Sequence, residues 1–125
     1  MANEFRVVFR SGQYSDTVAF YRDTLELPII HSWDNGPGQR GTEFSAGSGM
    51  IEVLEVPEGE PSALASGLEI GYEVEDVDEW YHRIQNKGGP IRGELADKPW
   101  GHRTFSLTDP CGIRIILYSI IGKDT

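Results

Sequence analysis

Cysteine is almost missing from this 125-residue chain. Cys111 stands alone, so neither an internal disulfide nor a cysteine metal cluster can form, and the cytoplasm is the natural compartment. Basic residues are scarce as well: 11 Lys and Arg against 20 Asp and Glu leave a formal net charge of −9. That balance argues against nucleic acid as a partner, since phosphate neutralisation needs a Lys and Arg surplus. The same charge suits solubility and is compatible with a cationic small molecule. No apolar run approaches the length of a membrane span. The opening Met1-Ala2-Asn3-Glu4-Phe5 has neither the basic region nor the apolar stretch of a signal peptide. At this length, one domain able to bury a core without staples is expected.

What is present is punctuated and periodic. Phe5, Val7 and Phe9 alternate with Arg6, Val8 and Arg10 as in a half-buried strand. Ser15 is a candidate N-cap, Val18, Tyr21 and Leu25 recur at helical spacing, and Pro28 marks the stop. A short strand at 29–33, a Gly-rich loop at 34–38 and a hairpin across Gly47-Ser48-Gly49 follow. The order then restarts. A strand at 68–74 leads to Asp76-Val77-Asp78-Glu79, which reads as a capping box. Val77, Trp80, Tyr81 and Ile84 form the apolar stripe of the helix it opens, and Gly88-Gly89-Pro90 ends it. A strand at 91–96 comes next. Two further strands then flank Asp109-Pro110-Cys111-Gly112, a turn with Asp to bond ahead, Pro to fix φ and Gly to close.

Both halves read strand, helix, three strands, an internal duplication. Phe20-Tyr21 matches Trp80-Tyr81, and Phe44-Ser45 matches Phe105-Ser106. The fold class expected is α+β: two tandem βαβββ units, 1–57 and 68–120, joined by a linker at 58–67 within one domain. Each unit has one helix on the outer face of a curved mixed sheet. The uncovered faces then line a cleft. The more apolar parity, including Phe5, Phe9, Ile51, Leu68, Ile115 and Leu117, belongs to the core; the charged parity faces the cleft.

The chain resembles the vicinal oxygen chelate superfamily, which includes glyoxalase I, extradiol dioxygenases and bleomycin-binding proteins. Three stretches carry the resemblance: Ala19 to Leu27, Val74-Glu75-Asp76-Val77, and Trp100-Gly101 through Phe105 to Asp109-Pro110-Cys111-Gly112. In the family's enzymes four cleft positions, typically His or Glu, hold a divalent metal. Matched by spacing, they fall here on Arg6, Glu52, Glu69 and Ile116. Arg6 is a cation and Ile116 has no donor atom, so the expectation is no metal and no other cofactor, with Arg6 paired to Glu52 or Glu69.

The resemblance then implies a homodimeric, metal-free protein that binds a small molecule, with a cationic or aromatic antibiotic as the ligand class. Glu52, Glu69 and Glu73 would meet cationic groups, and Trp33 and Trp100 would stack on rings. Arg6, Arg114 and Tyr118 would orient polar groups, with His102 as a cleft histidine. The alternative is a divalent-metal lyase or dioxygenase with a non-standard site, built from His31 or His102 with Glu52 or Glu69. Trp80 is expected in the core, and Cys111, with no activating neighbour in sequence, is not expected to be a nucleophile.

Overall fold

The computed structural model describes residues 3–61 and 67–122. It divides into two units, 1–65 and 66–125. Half of the expected linker, residues 62–66, lies outside the described residues.

The first unit runs β1 (Arg6–Ser11), α1 (Tyr14–Ala19), β2 (Ile29–Asp34), β3 (Arg40–Ala46) and β4 (Gly49–Glu55), with sheet order β1-β4-β3-β2. β1 lies parallel to β4 and the other pairs are antiparallel, so the sheet is mixed. Gly47, at φ 59°, makes the two-residue turn that joins β3 to β4 possible. Tyr21 is the centre of the core: its ring lies 5.9 Å from Phe9, 5.1 Å from Phe20 and 5.9 Å from Phe44.

Both helix ends differ from the expectation. The chain enters α1 one residue before Ser15, from Gln13. The hydroxyl of Ser11 accepts from the Gln13 N–H at 3.0 Å and bonds Thr17 Oγ1 at 2.8 Å, so Ser11 orders the helix entry and Ser15 does not cap it. At the other end, α1 widens into a π-helical turn over Phe20–Thr24. Glu26 at φ 58° then reverses the chain, and the Leu27 N–H reaches the Tyr21 carbonyl at 3.0 Å. The helix is therefore over before Pro28, whose carbonyl instead accepts from Ser45 N–H at the start of the β2–β3 ladder.

The second unit repeats the plan: β5 (Glu69–Glu73), α2 (Val77–Asn86), β6 (Ile91–Asp97), β7 (His102–Thr108) and β8 (Arg114–Ile120), in sheet order β5-β8-β7-β6. Asp76 caps α2 by accepting from the Glu79 N–H at 3.1 Å, while the Glu79 carboxylate turns to Arg83 one turn on. Val77, Tyr81 and Ile84 bury against Phe105, Leu107, Ile113, Ile115 and Leu117, with Tyr81 edge-on to Phe105 at 5.2 Å. Trp80 is not in this core. It is half-buried, with the Arg83 guanidinium 4.6 Å above its ring. Asp109 builds the β7–β8 turn as its residues predict: Oδ1 accepts from the N–H groups of Cys111 and Ile113, and the Gly112 N–H closes on the Asp109 carbonyl.

Strand register defines the repeat. Arg6 lies opposite Met50 as Glu69 lies opposite Arg114, and Val8 opposite Glu52 as Gly71 opposite Ile116. Phe44 then lies opposite Ile51 as Leu107 opposite Ile115. The partner of Phe44 in the repeat is Leu107, two residues beyond the expected Phe105, since strand register and not residue type sets the match. Two positions assigned to the core by parity are also exposed: Phe5 at 70% and Leu68 at 38%.

Candidate functional site

On the first unit, the charged parity converges on Arg6. Glu43 and Glu52 sit directly opposite one another on β3 and β4, an arrangement that repels if nothing stands between them. Arg6, from the neighbouring β1, supplies the counter-charge: its Nη1 donates to Glu43 Oε2 at 2.8 Å and to Glu52 Oε1, while Nε and Nη2 reach Glu4. Glu4, Glu52 and Glu43 together raise the Arg6 pKa above the ordinary arginine value, so the cation is permanent. Glu52 is buried, and its charge is matched by a guanidinium one strand away.

Of the two expected partners, Arg6 takes Glu52. Glu69 pairs instead with Arg114, directly opposite it on β8, at a looser 3.6 Å with both side chains about half exposed. Glu43 was not legible as a site residue from composition. The hairpin carried the signal: a two-residue loop pairing Ala46 with Gly49 also pairs Glu43 with Glu52.

On the second unit, the non-core face of β5, β7 and β8 lines a cavity of about 490 Å³. The His102 ring lies on Tyr118, centroids 4.3 Å apart and planes 11° from parallel. This is a diagonal cross-strand pair, since Tyr118 is directly opposite Thr104. Trp100 joins the lining from the bend between β6 and β7, where the Gly101 N–H bonds the Lys98 carbonyl and Gly101 adopts φ 89°. Half of Trp100 is open to solvent. Glu69, Lys98 and Arg114 supply charge of both signs, and Ile116 contributes hydrocarbon.

Five of the expected site residues, Glu69, Trp100, His102, Arg114 and Tyr118, thus share one cavity. Arg6 and Glu52 meet on the other unit. Glu73 is exposed and outside the lining. Trp33 packs flat over Gly41, where a Cβ would come 2.1 Å from its ring, and lies 5.5 Å from His31. Lys98 was missed in the sequence because it precedes an irregular bend rather than lying on a strand.

The family model described as Glyoxalase/Bleomycin resistance protein/Dioxygenase superfamily matches residues 5–117. The chain belongs to this superfamily. No curated protein sequence matches it. Among solved structures, TioX from Micromonospora sp. ML1 is 22% identical, covers 95% of this chain and 99% of its own, and superposes with a TM-score of 0.75. TnmS3, an antibiotic binding protein from Streptomyces sp. CB03234, is 18% identical over 96% of this chain and 97% of its own, with a TM-score of 0.75. Lactoylglutathione lyase from Agrobacterium tumefaciens is 21% identical over 95% and 94%, with a TM-score of 0.70. At these identities the likeness speaks to the fold, which an antibiotic binding protein and a lyase share. Among the described residues, no helix is long and apolar enough to cross a membrane.

Proposed function

We propose that this superfamily member binds an aromatic small molecule in the cavity of its second unit and holds it without a metal and without breaking a bond. The observation that carries the reading is the flat wall made by the stacked His102 and Tyr118, with Trp100 on the same cavity. Aromatic walls bind planar ligands through buried area and offset stacking, and about 490 Å³ suits a drug-sized group. The lining mixes Glu69 with Lys98 and Arg114, so it favours an aromatic ligand with polar substituents over a purely cationic one. Antibiotics are the ligand class to try first, since a protein of the same fold is an antibiotic binding protein.

The four positions where the family's enzymes carry metal ligands do not fit a divalent ion. Arg6 is a cation already bonded to Glu52 and Glu43, and Ile116 offers no lone pair. Among the described residues, no three of His, Cys, Asp and Glu are grouped to hold a metal. The homodimer belongs to the same proposal, and sedimentation velocity at micromolar concentration checks it; a monomer removes that part.

A thermal-shift screen of aromatic antibiotics, basic glycopeptides included, tests the reading. A hit is expected whose stabilisation is lost in Trp100→Ala and Tyr118→Ala. A hit indifferent to both variants, or one recovered chemically altered, contradicts it.

A further inference from the structure

The non-core face of the second unit carries another cavity, of about 290 Å³, lined by Arg92, Gly93, Ser106, Thr108, Gly112 and Arg114. It adjoins the aromatic cavity through Arg114, which lines both. Its composition is unlike the rest of this acidic chain: two guanidiniums, two hydroxyls and two glycines, with no carboxylate.

Ser106 is the telling residue. It is only 2% exposed, and its Oγ has no hydrogen-bond partner among the described residues. A buried hydroxyl without a partner costs stability unless something else satisfies it. Gly93, opposite Ser106 on β6 at a break in the strand register, keeps the space in front of that hydroxyl open. A Cβ there would come 2.5 Å from Ser106 Oγ. Arg92 makes no ion pair among the described residues, and Arg114 is held only by the loose contact to Glu69 at 3.6 Å.

We infer that this cavity is an oxyanion subsite, taking a carboxylate or phosphate group between Arg92 and Arg114 with the Ser106 hydroxyl as a buried donor. Guanidinium groups match the planar or tetrahedral oxygens of such anions, and charge-assisted bonds to them are the strong ones. The inference goes beyond the aromatic reading and does not depend on it. If both hold, the ligand class narrows to aromatic molecules bearing an acid group.

Backbone amide NMR titration of the full chain with inorganic phosphate and, separately, acetate tests it, with chloride at matched ionic strength as control. Saturable shifts are expected at Gly93, Ser106, Thr108 and Gly112. Tighter binding of phosphate by tenfold or more would assign a phosphate group; acetate at comparable strength would assign a carboxylate. Arg92→Gln should weaken binding at least tenfold while leaving unchanged the affinity of an aromatic hit that carries no acid group, because Arg92 does not line the aromatic cavity. Ser106→Ala should weaken it severalfold without lowering the melting temperature, since the lost hydroxyl had no partner to leave behind. Shifts no larger than the chloride control, or shifts that survive Arg92→Gln unchanged, would overturn the inference. So would a Ser106→Ala protein that melts earlier and binds the anion as before.

Discussion

The imidazole of His102 lies parallel to the ring of Tyr118, 4.3 Å away, on the face of the β7–β8 pair that the core does not use. Both side chains are half-buried, so the stack stands preformed at the cavity. A preformed wall lowers the ordering cost of binding a planar ligand.

A double-mutant cycle over His102→Ala and Tyr118→Ala measures that stack. The expected coupling energy is about 0.5–1.5 kcal/mol, the range of aromatic pairs beyond simple burial. Tyr118→Phe should keep the coupling, and Trp100→Ala, at a half-open position, should change stability by no more than about 0.5 kcal/mol. Chemical denaturation of the four proteins of the cycle, of Tyr118→Phe with and without His102→Ala, and of Trp100→Ala checks all three.

Arg6 joins two facing carboxylates, so its removal should cost far more than removal of an ordinary surface arginine. The comparison is Arg22, which among the described residues pairs only with its exposed sequence neighbour Asp23. Arg6→Ala should lower the urea midpoint several times more than Arg22→Ala. Adding Glu52→Gln to Arg6→Ala should restore most of the loss, because the penalty is the buried charge left unpaired. If Arg6→Ala and Arg22→Ala are indistinguishable, Arg6 is not neutralising Glu52.

Burial, followed by the charge and hydrogen bond of Asp109, pushes the Cys111 thiol up to about 12. The folded state therefore keeps the proton more tightly than an unfolded thiol near 8.5. This contribution to stability is complete below the unfolded value and fades as pH rises through the folded one. Stability should thus fall between about pH 9 and pH 12 in the wild type, and less in Cys111→Ala. Native protein at pH 8 should resist thiol labelling at a rate set by unfolding, which a denaturant series of labelling rates reads directly.

A methyl group at Gly41 would fall 2.1 Å from the Trp33 ring. Gly41→Ala should displace the indole into solvent and red-shift its emission in a protein whose other two tryptophans are Phe. Unchanged emission would mean that Trp33 does not rest on Gly41.

The parts of the fold legible in the sequence are those written locally. Asp109-Pro110-Cys111-Gly112 makes its turn with its own bonds, and Asp76 caps α2 within one turn. The repeat order was visible for the same reason, as periodicity between punctuation marks. What failed needed backbone conformation or packing that periodicity does not carry. Ser11 displaced Ser15 at the helix entry because its partner Thr17 comes from the helix's own first turn. Trp80 satisfied helical spacing yet ended under Arg83, because Val77, Tyr81 and Ile84 already cover the sheet. At the site, strand parity put Glu69, Arg114 and Tyr118 on one face but could not choose the partner of Arg6. That choice depended on Glu43, which only the hairpin register reveals. Ser106 carried no signal at all: a buried hydroxyl is unremarkable until its partners are counted.

The proposal that Arg6 stands where a metal would otherwise place positive charge is tested most directly by calorimetry. Chelator-stripped protein is titrated with Ni, Mn, Zn and Fe(II). No saturable heat is expected with any of the four, in wild type and in Glu52→Ala alike. One-to-one micromolar uptake in the wild type, abolished by Glu52→Ala, would contradict it and return the chain to the metal-dependent enzymes of its superfamily.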